Sequence, residues 1–197
     1  MSGAEPNLNW PEYSRAIFDL AREFRVRRIY SLGGYFDQVP HTRETRINTV
    51  VSHEEMKREL APVVNFTDYS GPCSFLTMLA FQGNEQNIEV VATSARLPIY
   101  INDLNHTGCY HLLKKVLKMT GYQIDLSDLK HAGERQMEMV DQAFSKNPTA
   151  LEQLKKMEEL HDGAFGKDAL RGSGDDYDKL LDEMRTLKRE GDRKSVV

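Results

Sequence analysis

The 197-residue chain has no long apolar run. Its longest mostly apolar stretch is the six residues from Leu76 to Phe81, far short of the ~20 needed to cross a bilayer as a helix. The opening MSGAEPNLNWPEY has neither a basic stretch nor an apolar one and does not read as a signal peptide. No membrane partner is expected, and a cytoplasmic location is the default expectation. Basic excess is also lacking. With 26 Lys and Arg against 30 Asp and Glu, the net charge is -4, which argues against a nucleic-acid partner held by counterion release.

Cysteine is scarce as well. Cys73 and Cys109 stand far apart, outside any CxxC spacing, so a disulfide scaffold and a zinc ribbon are excluded and two reduced, mostly buried thiols are expected. Six histidines are scattered without an HExxH, and His106 and His111 are five apart, a poor fit to one helical face. No metal site and no cofactor are expected. GxSxG and the phosphate-cradling GxxxxGK[ST] are absent, and Gly33-Gly34 is no dinucleotide fingerprint.

What is present suffices for one core, since 40% of residues are hydrophobic. Charge density rises near residue 130. Residues 1–129 hold 13 basic and 15 acidic side chains, and 130–197 hold the same numbers in roughly half the length. An α/β core domain over 1–129 and a charged helical extension over 130–197 are therefore expected.

In the first part, Asn9 precedes a helix with Pro11 in its first turn and a stripe of Tyr13, Ile17, Leu20, Ala21 and Phe24. Val26–Leu32 reads as a strand halted by Gly33-Gly34, and Ile47–Val51 as the next, with a long loop between them. Ser52 and Glu55 have capping-box spacing for a short helix to Leu60, stopped by Pro62. A short strand at 63–66, a helix at 73–82 opened by Gly71-Pro72, a buried strand at 88–93, a turn around Leu97-Pro98 and a helix at 103–120 complete the part. The alternation predicts an α/β fold, a three-layer α/β/α sandwich with a mainly parallel or mixed sheet. The extension predicts helices at about 126–145, 148–161 and 175–190, with a glycine-containing connection from Gly163 to Gly174. Their narrow apolar stripes suit packing on the domain or on another chain.

Two stretches carry polar chemistry. GGYFDQVPHTRETR, Gly33 to Arg46, follows a strand and so lies outside a strand's carboxyl end, where open α/β sheets bind ligands. Its Gly33, Gly34, Tyr35, Phe36, His41, Arg43 and Arg46 are candidate binding residues; with Asp37 and Glu44 the cations would suit a carboxylate or phosphate. Around Gly71, the turn Tyr69-Ser70-Gly71-Pro72-Cys73-Ser74 exposes amides before a helix, and Gly71 is a further binding candidate. An enzyme, a hydrolase or transferase of an anionic substrate, would use Cys73 or Ser74 as nucleophile with His41 as base. Asp103, Asp125 and Asp128 sit where helix caps are expected.

The segments GAEPNLNWPEYSRAIFDLAREFRVRRIYSLGGYFDQVPHTRETRI, VNFTDYSGPCSFLTMLAF and QIDLSDL, with the combination EPN-x-x-W, LGG and PHTR, resemble the proteasome assembly chaperone 2 family over nearly all of the chain. The resemblance implies a nucleoside-phosphorylase-like α/β/α sandwich, homo-oligomers, and a non-enzymatic, protein-binding role with itself and proteasome-related proteins as partners. It implies no established catalytic set. Relatives carry a substantial segment before the EPN motif, so the chain reads as a fragment, a late start or a reduced member. Archaeal chaperones of the family end in a hydrophobic-Tyr-any tail, whereas this chain ends Ser195-Val196-Val197.

Overall fold

The computed structural model of the chain describes residues 3, 5–67 and 73–164. Gly71 and its neighbours Tyr69, Ser70 and Pro72, the expected connection beyond residue 164, the expected helix at 175–190 and the Ser195–Val197 terminus lie outside the described residues. The chain divides into two compact units, Met1–Glu158 and Glu159–Val197, and the architecture below is that of the first.

Helix α1 (Trp10–Glu23) leads into strand β1 (Arg28–Asp37), then β2 (Ile47–Val51), α2 (Glu54–Leu60), β3 (Asn65–Phe66), α3 (Phe75–Glu85), β4 (Glu89–Pro98), α4 (His106–Thr120), α5 (Ser127–Ser145) and α6 (Pro148–Ala164). The four strands form one sheet in the order β1-β4-β2-β3. β1 runs parallel to β4, β4 antiparallel to β2, and β2 parallel to β3. The sheet is therefore mixed and the fold is α/β, as the alternating sequence pattern predicts.

β4 lies between two strands and is covered on both faces, which is why Val90, Val91, Ala92 and Thr93 form an unbroken buried run. On one face, Val90 and Ala92 pack with Phe18 and Ala21 of α1 and Phe75, Leu79 and Ala80 of α3. On the other, Val91 packs with Met56 and Leu60 of α2, Val64, and Met119 of α4. Helices on both faces of the sheet give the three layers. Gly83 lets α3 approach β4: a Cβ there would lie 2.6 Å from Val90 Cγ2 and 2.8 Å from the Ile88 carbonyl oxygen.

Several local expectations are corrected. Gly33 and Gly34 do not stop β1, which continues to Asp37, and Leu97-Pro98 belongs to β4 rather than to a turn. The Ser52–Glu55 capping box does not form. His53 occupies the N-cap without a side-chain bond, because the Ser52 hydroxyl accepts from Val90 N at 2.8 Å and is drawn into the core. The buried face of α1 is Ser14, Phe18 and Ala21, so Tyr13, Leu20 and Phe24 of the expected stripe remain exposed. Cys73 is exposed rather than buried, and Cys109 is half-buried with its thiol pushed up by burial. Asn105, not Asp103, caps α4, accepting from Gly108 N at 2.7 Å, whereas Asp125 does accept from Ser127 N at 2.9 Å before α5. No helix among the described residues is long and apolar enough to cross a membrane.

Candidate functional site

The carboxyl end of β1 carries most of the candidate residues, and the two glycines explain how the strand reaches it. A Cβ on Gly33 would lie 2.5 Å from Leu76 Cδ1 of α3, and one on Gly34 would lie 2.9 Å from Leu97 Cδ1 of β4. The glycines make room for neighbouring side chains rather than for a turn. β1 therefore delivers Tyr35, Phe36 and Asp37 in extended conformation. Tyr35 Oη accepts from Asn48 Nδ2 at 2.8 Å, and Asp37 pairs with Arg96 of β4, Nε at 2.7 Å and Nη2 at 2.5 Å from the same carboxylate oxygen. Partial burial and the nearby Arg96 charge lower the affinity of Arg46 for its proton. Phe36 points to the opposite face and is 53% exposed.

The loop that follows turns inward. Val39 is buried and the His41 side chain is only 1% exposed. His41 Nδ1 lies 2.7 Å from Tyr100 Oη and Nε2 lies 2.9 Å from Asp141 Oδ1 of α5, while the His41 backbone N donates to the same Tyr100 oxygen at 2.7 Å. The set closes when the Tyr100 hydroxyl donates to Nδ1 and Nε2–H donates to Asp141. The rings of His41, Tyr100 and Phe144 pack together with centroids 5.0–5.6 Å apart. Burial drives the Tyr100 phenol well above its ordinary pKa, with the Glu158 and Asp141 carboxylates adding to the rise. Asp141 and Phe144, three apart, present one face of α5 to the loop. Thr42 Oγ1 donates to Glu158 of α6, and Arg43 Nη1 meets the same carboxylate at 3.2 Å.

The second stretch is likewise occupied with structure. Glu5 accepts from Phe75 N at the start of α3, and Trp10 and Tyr13 set their rings edge-on to Phe75 at 5.8 and 5.2 Å. Ser74 is the N-cap, its hydroxyl accepting from Thr77 N at 3.3 Å. The EPN-x-x-W motif is thus a staple over the first turn of α3.

At the amino end of β1, Arg28 joins Glu59 of α2 and Glu89 of β4, each at 2.7 Å. Hydrogen bonding to Glu59 leads the effects that raise the Arg28 proton affinity, and the same pairing lowers the Glu59 carboxyl. These contacts tie α2 to the sheet.

Both ring nitrogens of His41 are thus engaged by Tyr100 and Asp141, and Ser74 is engaged as a cap. Nothing in this arrangement presents His41 as a base to Cys73 or Ser74. The partners that give His41 and Arg43 their roles, Tyr100, Asp141, Phe144 and Glu158, were not among the sequence candidates. They lie 59 to 116 positions away, and no spacing signal connects them.

No curated protein matches the sequence. Solved structures do share the fold. A protein of unknown function from Corynebacterium glutamicum superposes with a TM-score of 0.72 at 20% identity, covering 84% of this chain and 61% of that one. A proteasome-assembly chaperone homologue from Mycobacterium tuberculosis gives 0.66 at 20% identity over 77% of this chain and 64% of that one. An archaeal proteasome activator from Pyrococcus furiosus gives 0.61 at 18% identity, with 72% and 62% covered. The chain spans less than two thirds of the length of each. The family whose sequence pattern fits is PAC2, over residues 1–143, and the chain belongs to the PAC2 family.

Proposed function

We propose that this protein is a non-enzymatic, oligomerising protein-binding module that works as the proteasome assembly chaperones do, through surfaces rather than bond chemistry. One contrast supports this reading. The polar residues of the loop are engaged in holding elements together, His41 to Tyr100 and Asp141 and Arg43 to Glu158, while large apolar side chains remain open on β1 and at the C-cap of α1. Leu32 is 39% exposed, Phe36 53% and Phe24 70%. Tyr35 and Phe36 are the proposed contact residues, with Gly33, Gly34, His41, Arg43 and Arg46 shaping the segment that presents them. Gly71 belongs to the same proposal. The partners are itself and proteasome-related proteins in the cytoplasm, with 1–129 as the α/β core and 130–197 as the charged helical extension.

An enzyme of an anionic substrate built on His41 would first have to release an imidazole bonded on both sides. Native mass spectrometry of the chain mixed with proteasome α- and β-subunits tests the proposal. Discrete complexes, reduced when Tyr35 and Phe36 are replaced by Ala, are expected. Absence of any complex at tens of micromolar would overturn the proteasome-related role.

A further inference from the structure

The carboxyl half of the sheet carries a polar shelf on one face. Alternation along the strands puts Ile29, Val50, Val90 and Ala92 on the face that α1 and α3 cover. Toward the carboxyl ends of β1 and β4 the same alternation brings Tyr35, Asp37, Asn48, Ser94 and Arg96 to that face, with Arg46 just before β2. Register sets them side by side. Ser94 lies between Gly33 of β1 and Asn48 of β2, and Arg96 lies between Tyr35 and Arg46, whose carbonyl accepts from Arg96 N at 3.0 Å. Leu76 of α3 covers Gly33 and bounds the shelf toward the core. On the opposite face the same stretch of β2 and β4 carries Ile47, Ala95 and Leu97, so the polarity belongs to one face and not to this end of the sheet as a whole.

Two features of the shelf point to a ligand. Like charges are set together: Arg46 and Arg96 are cross-strand neighbours, about 5.5 Å apart at Cα in such a pairing, and like charges directly opposite destabilise a sheet. Partial burial and the neighbouring Arg96 charge lower the proton affinity of Arg46. Asp37 meets Arg96 on one side only, and its second oxygen accepts from Gln38 N at 2.7 Å. Donors also remain to spare. Arg96, with a side chain 12% exposed, turns Nε and Nη2 to Asp37, while its Nη1 and the Ser94 hydroxyl have no partner among the described residues. Asn48 gives one Nδ2 hydrogen to Tyr35 and keeps the other.

We propose that the shelf is an oxyanion site, with Arg96 and Arg46 supplying charge and Ser94 and Asn48 neutral donors to the phosphate or carboxylate of a small ligand. Such a group matches the donor set, since it offers several acceptor oxygens together with negative charge. Arg46 has contacts of its own, so Arg96 is the anchor and Arg46 the flank. The low exposure of Arg96 strengthens the attraction, because a partly buried charge is screened less by salt. The shelf lies outside the carboxyl ends of the parallel strands β1 and β4, where open α/β sheets bind ligands. It uses neither His41 nor Cys73, and it does not rest on the oligomerising reading: either can fail alone.

Inorganic phosphate and acetate, titrated separately into the full chain at constant ionic strength, test the site by nuclear magnetic resonance. Saturable shifts of the Arg96 side-chain Nε–H and the Ser94 amide are expected with at least one anion, and the tighter of the two shows whether the ligand group is phosphate or carboxylate. Ser94→Ala removes a hydroxyl that has no partner among the described residues and is expected to weaken binding roughly fivefold; Arg46→Gln is expected to weaken it at least ~10-fold. Arg27→Gln, at the amino end of β1, is expected to change nothing. Shifts that saturate with neither anion would overturn the site, as would unchanged affinity in the folded Ser94→Ala and Arg46→Gln chains. Equal weakening in Arg27→Gln would also overturn it, since the anion would then be answering net charge alone.

Discussion

The loop after β1 and the edge of β1 itself are adjacent in sequence and opposite in character. From Val39 to Arg43 the side chains are rich in reactive groups, yet His41 is sealed against Tyr100, Phe144 and Asp141, and Arg43 against Glu158. From Ile29 to Phe36 there is little chemistry to notice, yet Leu32 and Phe36 stand half-open. The difference teaches that reactive residue types mark a functional surface only when their polar atoms are left available. Here the loop is a clasp that fastens α5 and α6 to the sheet.

The sharpest way to break the comparison is His41→Ala. Removing a side chain that is 1% exposed and bonded at both nitrogens is expected to cost roughly 2–4 kcal/mol, read by urea denaturation. If that variant were as stable as wild type, the loop would be no clasp. Gly83→Ala tests packing away from both regions. Although alanine favours a helix, its Cβ would meet the Ile88 carbonyl at 2.8 Å, and a loss of about 1–3 kcal/mol is expected from overpacking.

A smaller effect sharpens the clasp. Glu158→Gln keeps an acceptor for Thr42 but removes the charge facing Arg43, and a loss of about 1 kcal/mol is expected by chemical denaturation.

The smallest effect is in the pH profile. Burial lowers the pKa of His111 from its ordinary 6.5, so the folded state favours the neutral ring. Its contribution to stability is complete above pH 6.5 and is lost as pH falls through the lowered folded value. His111→Gln is expected to flatten the stability curve just below pH 6.5; an unchanged slope would place the titration elsewhere.

Much of the layered fold is legible in the sequence because hydrophobic alternation and helix caps are local signals. Asn147 accepts from Thr149 N and Ala150 N as a cap should, and Ile47–Val51 is a strand as its composition predicts. The misreadings share one cause, a distant neighbour overriding a local cue. Gly33-Gly34 looks like a turn until Leu76 and Leu97 are seen to need the space. Ser52 has the spacing of a capping box, but Val90 claims its hydroxyl. The buried face of α1 runs about one residue out of phase with the sequence stripe, because Phe18 rather than Tyr13 or Leu20 faces the core. The site was legible only in part. The loop's candidates are visible in sequence, but what each does depends on Tyr100, Asp141 and Glu158, which only the tertiary fold brings near.

The central claim of the proposed function is an oligomerising module that works through surfaces. Its most direct test is the absolute solution mass of the wild-type chain, measured by light scattering. The account predicts a defined multiple of the 22.6 kDa chain mass. The single-chain mass would contradict it.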